Sequence, residues 1–413
     1  MALDESRLQD FGRIMTSVGI SNPPDCWLKS YEMLEESTYT VDEQLDIGVL
    51  AQFLSLVELD EDCVRDLKET LDIVRTNDDL KNLVWLWHYC VFVSGEEQCN
   101  NWPLPDLLPE HLRSLFHLVV YITGIPVFLK IHADYNIPID ITRNCLKDMP
   151  WRTRYYKDAQ GRWGLAELGW LKHILLGNIF RLRRLQFKFI PYYYDYHLYR
   201  NLKNRRILAL AGNGMQFRTD GLINGTNGIS DEHFWTSSLC EENRTVTGYP
   251  MLSVGQAVNE RLTIDLDDWE QILVNGNNIL EVHIPGGEKM DYQECIESFH
   301  LANEFFQKYL HKAKHVGFVC TSWLLDPNMP KILPAESNIV KFQKEFYLMP
   351  VLSDDNQTFG CVFGSKPEDL TTASRDTSLR RAILDHILSG NNMHGAAGFI
   401  PADEIGQQHN YYL

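Results

Sequence analysis

Glu281 and His283 stand two residues apart in Ile279-Leu280-Glu281-Val282-His283-Ile284, a run whose apolar residues read as a buried strand. Side chains two apart on a strand share a face. Two polar side chains on one face of a central strand have two readings: a buried pair hydrogen-bonding across the sheet, or a proton-handling pair. Directly after them, Pro285-Gly286-Gly287 breaks the strand. Asp291 then reads as an N-cap, and Tyr292, Ile296, Phe299, Ala302, Phe306 and Tyr309 recur at helical spacing. A strand entering a helix through such a turn presents the amides of Gly286, Gly287, Glu288, Lys289 and Met290 beside a helix N-terminus. That arrangement suits a pyrophosphate. The plainer reading is a βα turn in which glycine only satisfies the backbone. Further on, Cys320 and Ser322 share one face of the next strand, which Trp323 ends.

The rest of the chain bounds what such groups serve. Its 413 residues suffice for two or three domains with a substantial core. The net charge of −18 argues against nucleic acid as the main partner. The charge is uneven: residues 1–80 hold 19 Asp/Glu against 6 Lys/Arg, and residues 151–206 hold 13 Lys/Arg against 3 Asp/Glu. Either the two segments are solvated or neutralise each other, or the basic one helps hold an anion. The longest apolar run, Leu115–Leu129, contains Gly124 and Pro126 and reads as too short for a membrane span. The acidic start, Met1-Ala2-Leu3-Asp4-Glu5, lacks signal-peptide features. Nine scattered cysteines without CxxC spacing suggest reduced thiols rather than disulfides or a zinc site. The 14 histidines show no paired metal-ligand spacing. A cytoplasmic protein with no metal and no membrane contact is expected.

Stepping along the chain, residues 1–145 read as mainly helical and Asp148–Arg162 as a polar, turn-like connection. Leu165, Leu168, Leu171, Leu175, Ile179 and Leu182 mark one long amphipathic helix. After Leu182, Leu185–Phe189 alternates as a strand. Arg206–Ala211, Gly212-Asn213-Gly214 and Met215–Arg218 read as a hairpin, and Thr245–Tyr249 and Arg261–Ile264 as short strands. From Ile279 the order is strand, helix, strand (Val316–Thr321), helix (about Ser337–Phe346), strand (Tyr347–Val351) and strand (Thr358–Phe363). A last helix, Ser378–Leu388, closes it. This is a mixed α/β sheet with flanking helices behind a helical N-terminal domain. The expected division is a helical domain over 1–160 and an α/β domain over 161–413.

This order resembles the GNAT (GCN5-related N-acetyltransferase) fold. More closely, the chain resembles a bacterial family that joins a helical N-acyltransferase N-terminal domain to a GNAT-like C-terminal domain. The resemblance is carried by Gly161-Arg162-Trp163-Gly164, Gly169-Trp170-Leu171, Phe180-Arg181-Leu182-Arg183-Arg184-Leu185-Gln186-Phe187, Leu280-Glu281-Val282-His283-Ile284-Pro285-Gly286-Gly287, Cys320-Thr321-Ser322-Trp323-Leu324-Leu325-Asp326-Pro327, Leu333-Pro334, Ser337-Asn338-Ile339-Val340-Lys341-Phe342-Gln343 and Arg375-Asp376-Thr377-Ser378-Leu379. These span roughly residues 160–390, in order. One departure matters. The phosphate loop of GNAT enzymes holds more glycine and begins with Arg or Gln, whereas this turn is Pro285-Gly286-Gly287-Glu288-Lys289-Met290. Fewer glycines let fewer amides wrap a phosphate, and Glu288 repels one unless it points away.

What the resemblance implies is transfer of an acyl group from acetyl- or another acyl-coenzyme A to an amine on a small molecule or peptide, without a covalent intermediate. Glu281 is then the expected base, with a raised pKa from burial, and His283 its alternative or its orienting partner. Ser322, or a water, is the expected acid for the leaving thiolate, because Phe342 and Phe346 stand where such enzymes often carry tyrosine. Cys320 reads as inert core. Asn338 and Lys341, one turn apart, are expected at the pantetheine and a phosphate. Arg181, Arg183 and Arg184 either reach the nucleotide phosphates or form a solvated helix end. The rivals are a non-catalytic GNAT-fold protein that binds acyl-coenzyme A or a partner, and a hydrolase using Cys320 or Ser322.

Overall fold

The computed structural model describes residues 5–33, 45–95, 99–252, 255–312 and 314–407. Contacts divide the chain into two compact units: residues 1–182 with 285–287, and residues 183–284 with 288–413.

The first unit is helical. Its N-terminal part centres on Trp27, Trp87, Trp102 and Phe116, whose rings pack edge-on or tilted at centroid distances of 5.0–5.4 Å. Asn77 starts the Asp78–His88 helix by accepting from the Leu80 amide at 3.0 Å. Asp148–Gln160 is a full helix and not a connection. Its polar sequence hides the fact that Met149, Arg152 and Thr153 are buried, and Pro150 is tolerated because it falls in the first turn, where the amide needs no partner. The helix expected over Leu165–Leu182 is also two elements. A helix spans only Leu168–Leu175, Gly177 turns the chain at φ +67°, and strand β1 follows at Ile179–Leu182. All four β1 residues are buried, so the strand shows no alternation, and its Ile179 and Leu182 continue the helical spacing of the leucines before it. Among the described residues one helical stretch, Glu110–Asp134, is long and apolar enough to cross a membrane, longer than the run read from sequence. It lies mostly buried within the protein.

The second unit carries β2 (Leu185–Pro191), β3 (Tyr196–Asn201), β4 (Ile207–Ala211), β5 (Gln216–Phe217), β6 (Trp235–Thr236), β7 (Cys240–Glu242), β8 (Thr245–Gly248), β9 (Leu262–Asp265), β10 (Trp269–Leu273), β11 (Asn278–His283), β12 (Gly317–Ser322), β13 (Tyr347–Pro350) and β14 (Ala396–Pro401). Within the unit, its main sheet runs β2-β11-β12-β14-β13. β11 is parallel to β12 and antiparallel to β2, and β14 is antiparallel to both its neighbours, so the expected mixed sheet is present. A smaller sheet has the order β10-β3-β4. The hairpin expected across Gly212-Asn213-Gly214 is not formed: β4 pairs with β3, and β5 with β6. Thr358–Phe363 is not a strand either; Asn356–Phe363 is a helix. The sheet instead receives β14, after the Ser378–Leu388 helix, between β12 and β13.

The two faces of the main sheet differ. On one, Phe187 and Phe318 pack on Phe299 of the Tyr292–Lys308 helix, at ring distances of 5.9 and 4.9 Å. On the other, Ile279, Val319, Tyr347, Met349, Ala397 and Phe399 form one core with β3, β4 and β10 residues. Glu281, His283 and Thr321 belong to this second face.

Candidate active site

β11 is a strand because Ile279, Leu280 and Val282 are buried among apolar neighbours, while Glu281 and His283 alternate onto the less covered side. Their side chains are 19% and 29% exposed, enough to stay within reach of solvent. His283 Nε2 lies 2.9 Å from Glu281 Oε2. Lys188 on β2 stands directly across from Glu281.

The expected upward pKa shift is overturned. Burial does push the Glu281 carboxyl up, but the hydrogen bond and charge of His283, the charge of Lys188 and the hydroxyl of Tyr193 together outweigh it. The group therefore lies below the ordinary carboxylate range and is ionised at neutral pH.

Register decides which hydroxyl faces this pair. In the parallel β11–β12 ladder Glu281 aligns with Val319 and Val282 with Cys320. Alternation then puts Thr321 on the face of Glu281 and His283, and Cys320 and Ser322 on the opposite one. The ladder stops at Val282 and Cys320, although both strands run further. Ser322 is 9% exposed, and its Oγ accepts from the Leu324 amide at 3.1 Å, capping the short turn that follows. Cys320 is buried and burial pushes its thiol up, so it is a poor nucleophile.

Sequence reading missed two tyrosines in the irregular loop after β2. The Tyr193 hydroxyl is placed to donate to Glu281 Oε1 and to the Tyr194 hydroxyl, each at 3.3 Å. Tyr194 in turn lies 2.7 Å from Thr321 Oγ1. Burial, then hydrogen bonding with Tyr194, raises the Tyr193 phenol far above its usual range. Thr321 borders a cavity of about 460 Å3 that Gly225, Ser322, Leu352, Ser353, Gln357 and Gly395 also line. No periodicity marks Tyr193 and Tyr194; only Thr321's place between Cys320 and Ser322 was a signal, and it needed the register to be read.

The turn after β11 divides between the units. Gly286 and Gly287 pack on the Trp151 indole, where a Cβ at either position would collide with the ring, and Gly287 sits at φ +82°. Packing and backbone geometry thus account for both glycines. In the second unit, Arg184 donates to the carbonyls of Glu288 at 2.9 Å and Lys289 at 3.0 Å. Asn338 donates to the carbonyl of Met290 at 2.7 Å. Each carbonyl points opposite to the following N–H of its planar peptide. With these three tied back, the amides of Lys289, Met290 and Asp291 face away from Arg184 and Asn338. Among the described residues none of these amides has a hydrogen-bond partner. The Asp291 side chain caps the following helix through the Glu294 amide at 2.9 Å.

Asn338 is therefore engaged with the turn's own backbone. Among the described residues Lys341 is paired only with Glu336, at 4.0 Å, and is 35% exposed. The basic run is not a helix end. Arg181 lies on β1, 2% exposed, with Asp148 at 3.4 Å, and Arg183 pairs on the surface with Glu294 and Glu297 at 3.2 and 2.9 Å. Among the described residues no group of three or more His, Cys, Asp or Glu is placed to hold a metal. Among the described residues none of the nine cysteines is in a disulfide.

Comparison with known proteins fits this geometry. The model of the GNAT-like C-terminal domain matches residues 179–400, and that of the N-acyltransferase N-terminal domain matches residues 49–177. The chain belongs to the GNAT-like C-terminal domain family. Among curated proteins none matches it in sequence. Among solved structures it is similar to an acyltransferase mutant in complex with octanoyl-CoA, with a TM-score of 0.60 at 17% identity over 94% of this chain and 98% of that one. It is also similar to an acyltransferase in complex with decanoyl-CoA and teicoplanin, with a TM-score of 0.59 at 16% identity over 95% and 99%. A third, an acyltransferase with CoA and 10C-teicoplanin, gives 0.57 at 16% identity over 95% and 99%. At these identities the likeness is one of fold.

Proposed function

We propose that this protein transfers an acyl group from an acyl-coenzyme A to an amine by direct attack, with Glu281 taking the proton that the amine loses. The carbon–nitrogen bond forms, the carbon–sulfur bond breaks, and coenzyme A leaves as a thiolate that needs no strong acid because it is already stable. The observation that carries this reading is the ionised, partly accessible Glu281 carboxylate, hydrogen-bonded to His283 at the end of the β11–β12 ladder. An ionised carboxylate can accept a proton, and His283 fixes its orientation. Ser322, whose Oγ is engaged by the Leu324 amide, is not given the acid's role. For the donor, the unpartnered amides of Lys289 and Met290 suit the pyrophosphate and the Lys341 ammonium supplies counter-charge. The similar structures, in complex with octanoyl-CoA and with decanoyl-CoA and teicoplanin, support a medium-chain donor and a small-molecule or peptide acceptor.

One observation favours a binding protein without catalysis: Trp151 accounts for both glycines of the turn, leaving fewer features that only a phosphate explains. Turnover separates the two. Octanoyl-coenzyme A is to be offered with a panel of primary amines that includes teicoplanin, and release of free thiol followed. Acylation is expected, and Glu281→Gln should lower turnover by about 10²–10⁴-fold with donor affinity unchanged. Full turnover in Glu281→Gln removes it as the base. Tight donor binding with no acylation of any amine supports the binding protein.

A further inference from the structure

Glu281 does not itself border the cavity that holds Thr321, yet an unbroken row of hydroxyls joins the two. We propose that Thr321, Tyr194 and Tyr193 form a proton relay that lets Glu281 act on an amine bound in the cavity beside Thr321. The inference rests on the acyltransferase reading and extends it by saying where the acceptor sits and how its proton leaves.

The orientation follows from what each group can do. An ionised carboxylate only accepts, so Tyr193 O–H points at Glu281. The Tyr193 O–H is within reach of both Glu281 and Tyr194, each at 3.3 Å; turned wholly to Glu281 for transfer, it leaves Tyr193 lone pairs to accept from Tyr194, as Tyr194 accepts from Thr321. On attack, the amine N–H bond breaks and its proton joins Thr321 Oγ1. Thr321 passes its own proton to Tyr194, Tyr194 to Tyr193, and Tyr193 to Glu281. Each hydroxyl ends with one proton, Glu281 is neutral, and nothing is oxidised or reduced. No phenolate or alkoxide needs to persist, which matters because burial makes the Tyr193 phenol hard to ionise. The two 3.3 Å links are long for O–H···O contacts, and such links tighten when substrate binds. The Tyr193 and Tyr194 rings lie 4.4 Å apart, so they hold each other in place. The cavity is lined by Gly225, Gly228 and Gly395 with the polar Ser353 and Gln357, and Leu352 at its edge is 67% exposed. That lining leaves room for an acceptor carrying both polar and apolar surface.

Thr321 touches the substrate in this scheme; Tyr193 and Tyr194 are positioning residues that act through Glu281. The test uses octanoyl-coenzyme A with the fastest amine of the panel. Thr321→Val keeps the branched shape of a strand residue and removes the hydroxyl, whereas Thr321→Ser keeps the hydroxyl and removes the branch. The relay requires Val to lose about 10²-fold in kcat and Ser to stay near wild type. A packing role requires the reverse order and overturns the proposal. Tyr194→Phe should lose as much as Thr321→Val, with the KM for octanoyl-coenzyme A unchanged. Because the links act in series, the Tyr193→Phe/Tyr194→Phe double variant should fall no further than the worse single one. Losses that multiply, or tyrosine variants with full kcat, overturn the relay. If Glu281→Gln is impaired and these variants are not, the relay fails and the base stands. If Glu281→Gln is itself fully active, both fail.

Discussion

The helical unit buries histidine and charge as deeply as any part of the molecule. His88 and His132 are 3% and 2% exposed, and each gives one ring nitrogen to a threonine, at 2.7 and 2.8 Å. His117 stacks on Trp87. Burial drops all three to about 4. Asp148 meets Arg181 at 3.4 Å and Arg152 at 3.3 Å in a closed cluster. In the second unit Glu281 and His283 are less buried, stay partly in reach of solvent, and continue through hydroxyls to a cavity. Buried polarity is thus a feature of both units. What marks the second as a candidate site is access, together with a carboxylate kept ionised by its neighbours.

Acid should act first and hardest on the helical unit. A histidine with a folded pKa near 4 and an unfolded value of 6.5 takes up its proton first in the unfolded chain. The stability it supports is full above pH 6.5 and is lost as pH falls toward 4, about 3 kcal/mol for each such group. The second unit has His315 shifted in the same direction, also by burial. Amide exchange measured from pH 7 to 4.5 should therefore rise over residues 78–134 before it rises over 278–322. His117→Phe should recover part of the difference. Equal loss in both segments breaks the comparison.

Next in size is the closed cluster. Asp148→Ala leaves the buried Arg181 and Arg152 without that carboxylate, which should cost about 3–5 kcal/mol. Denaturant unfolding measures it. Glu281→Gln, in a half-open pair, should cost less than about 1 kcal/mol of stability while losing turnover. If the two variants destabilise equally, Glu281 is as structural as Asp148.

The sequence made β11 legible because a short run of the apolar Ile279, Leu280, Val282 and Ile284 ends at a glycine break. The same rule failed for β14, where Ala396-Ala397-Gly398 carries no large apolar residue. Those small residues are needed because a Cβ at position 398 would collide with Phe346 and Leu325. β1 failed for the opposite reason, being buried throughout and so without alternation. Glu281 and His283 were visible as a pair from spacing alone. Tyr193, Tyr194 and Thr321 were not, since what unites them is a strand register and a loop conformation set by residues far apart in the chain. The misjudged pKa of Glu281 has the same origin: burial was foreseeable, but Lys188 across the sheet and Tyr193 above it were not.

The smallest expected effect separates two roles for a buried cation. Arg184, at 6% exposure, is the buried one of the second unit's two arginines, Arg183 and Arg184, that were candidates for the donor's phosphates. Its side chain instead holds the carbonyls of Glu288 and Lys289, which turns the Lys289 and Met290 amides the other way. It therefore acts on an anion through the backbone, in contrast to Arg181, whose charge is closed off by Asp148. Arg184→Gln removes a charged donor from two carbonyls, an interaction of about 1.5 kcal/mol, so coenzyme A affinity should fall about tenfold. The discriminating quantity is the ratio of two affinities. A residue that only shapes the turn affects coenzyme A and dephospho-coenzyme A equally, because both carry the pyrophosphate. A residue that touches the 3′-phosphate affects coenzyme A more. Titration calorimetry of the variant with both ligands should give equal losses. A loss confined to coenzyme A would place the guanidinium on the ligand and contradict the carbonyl contacts, and unchanged affinity for both would detach this turn from donor binding.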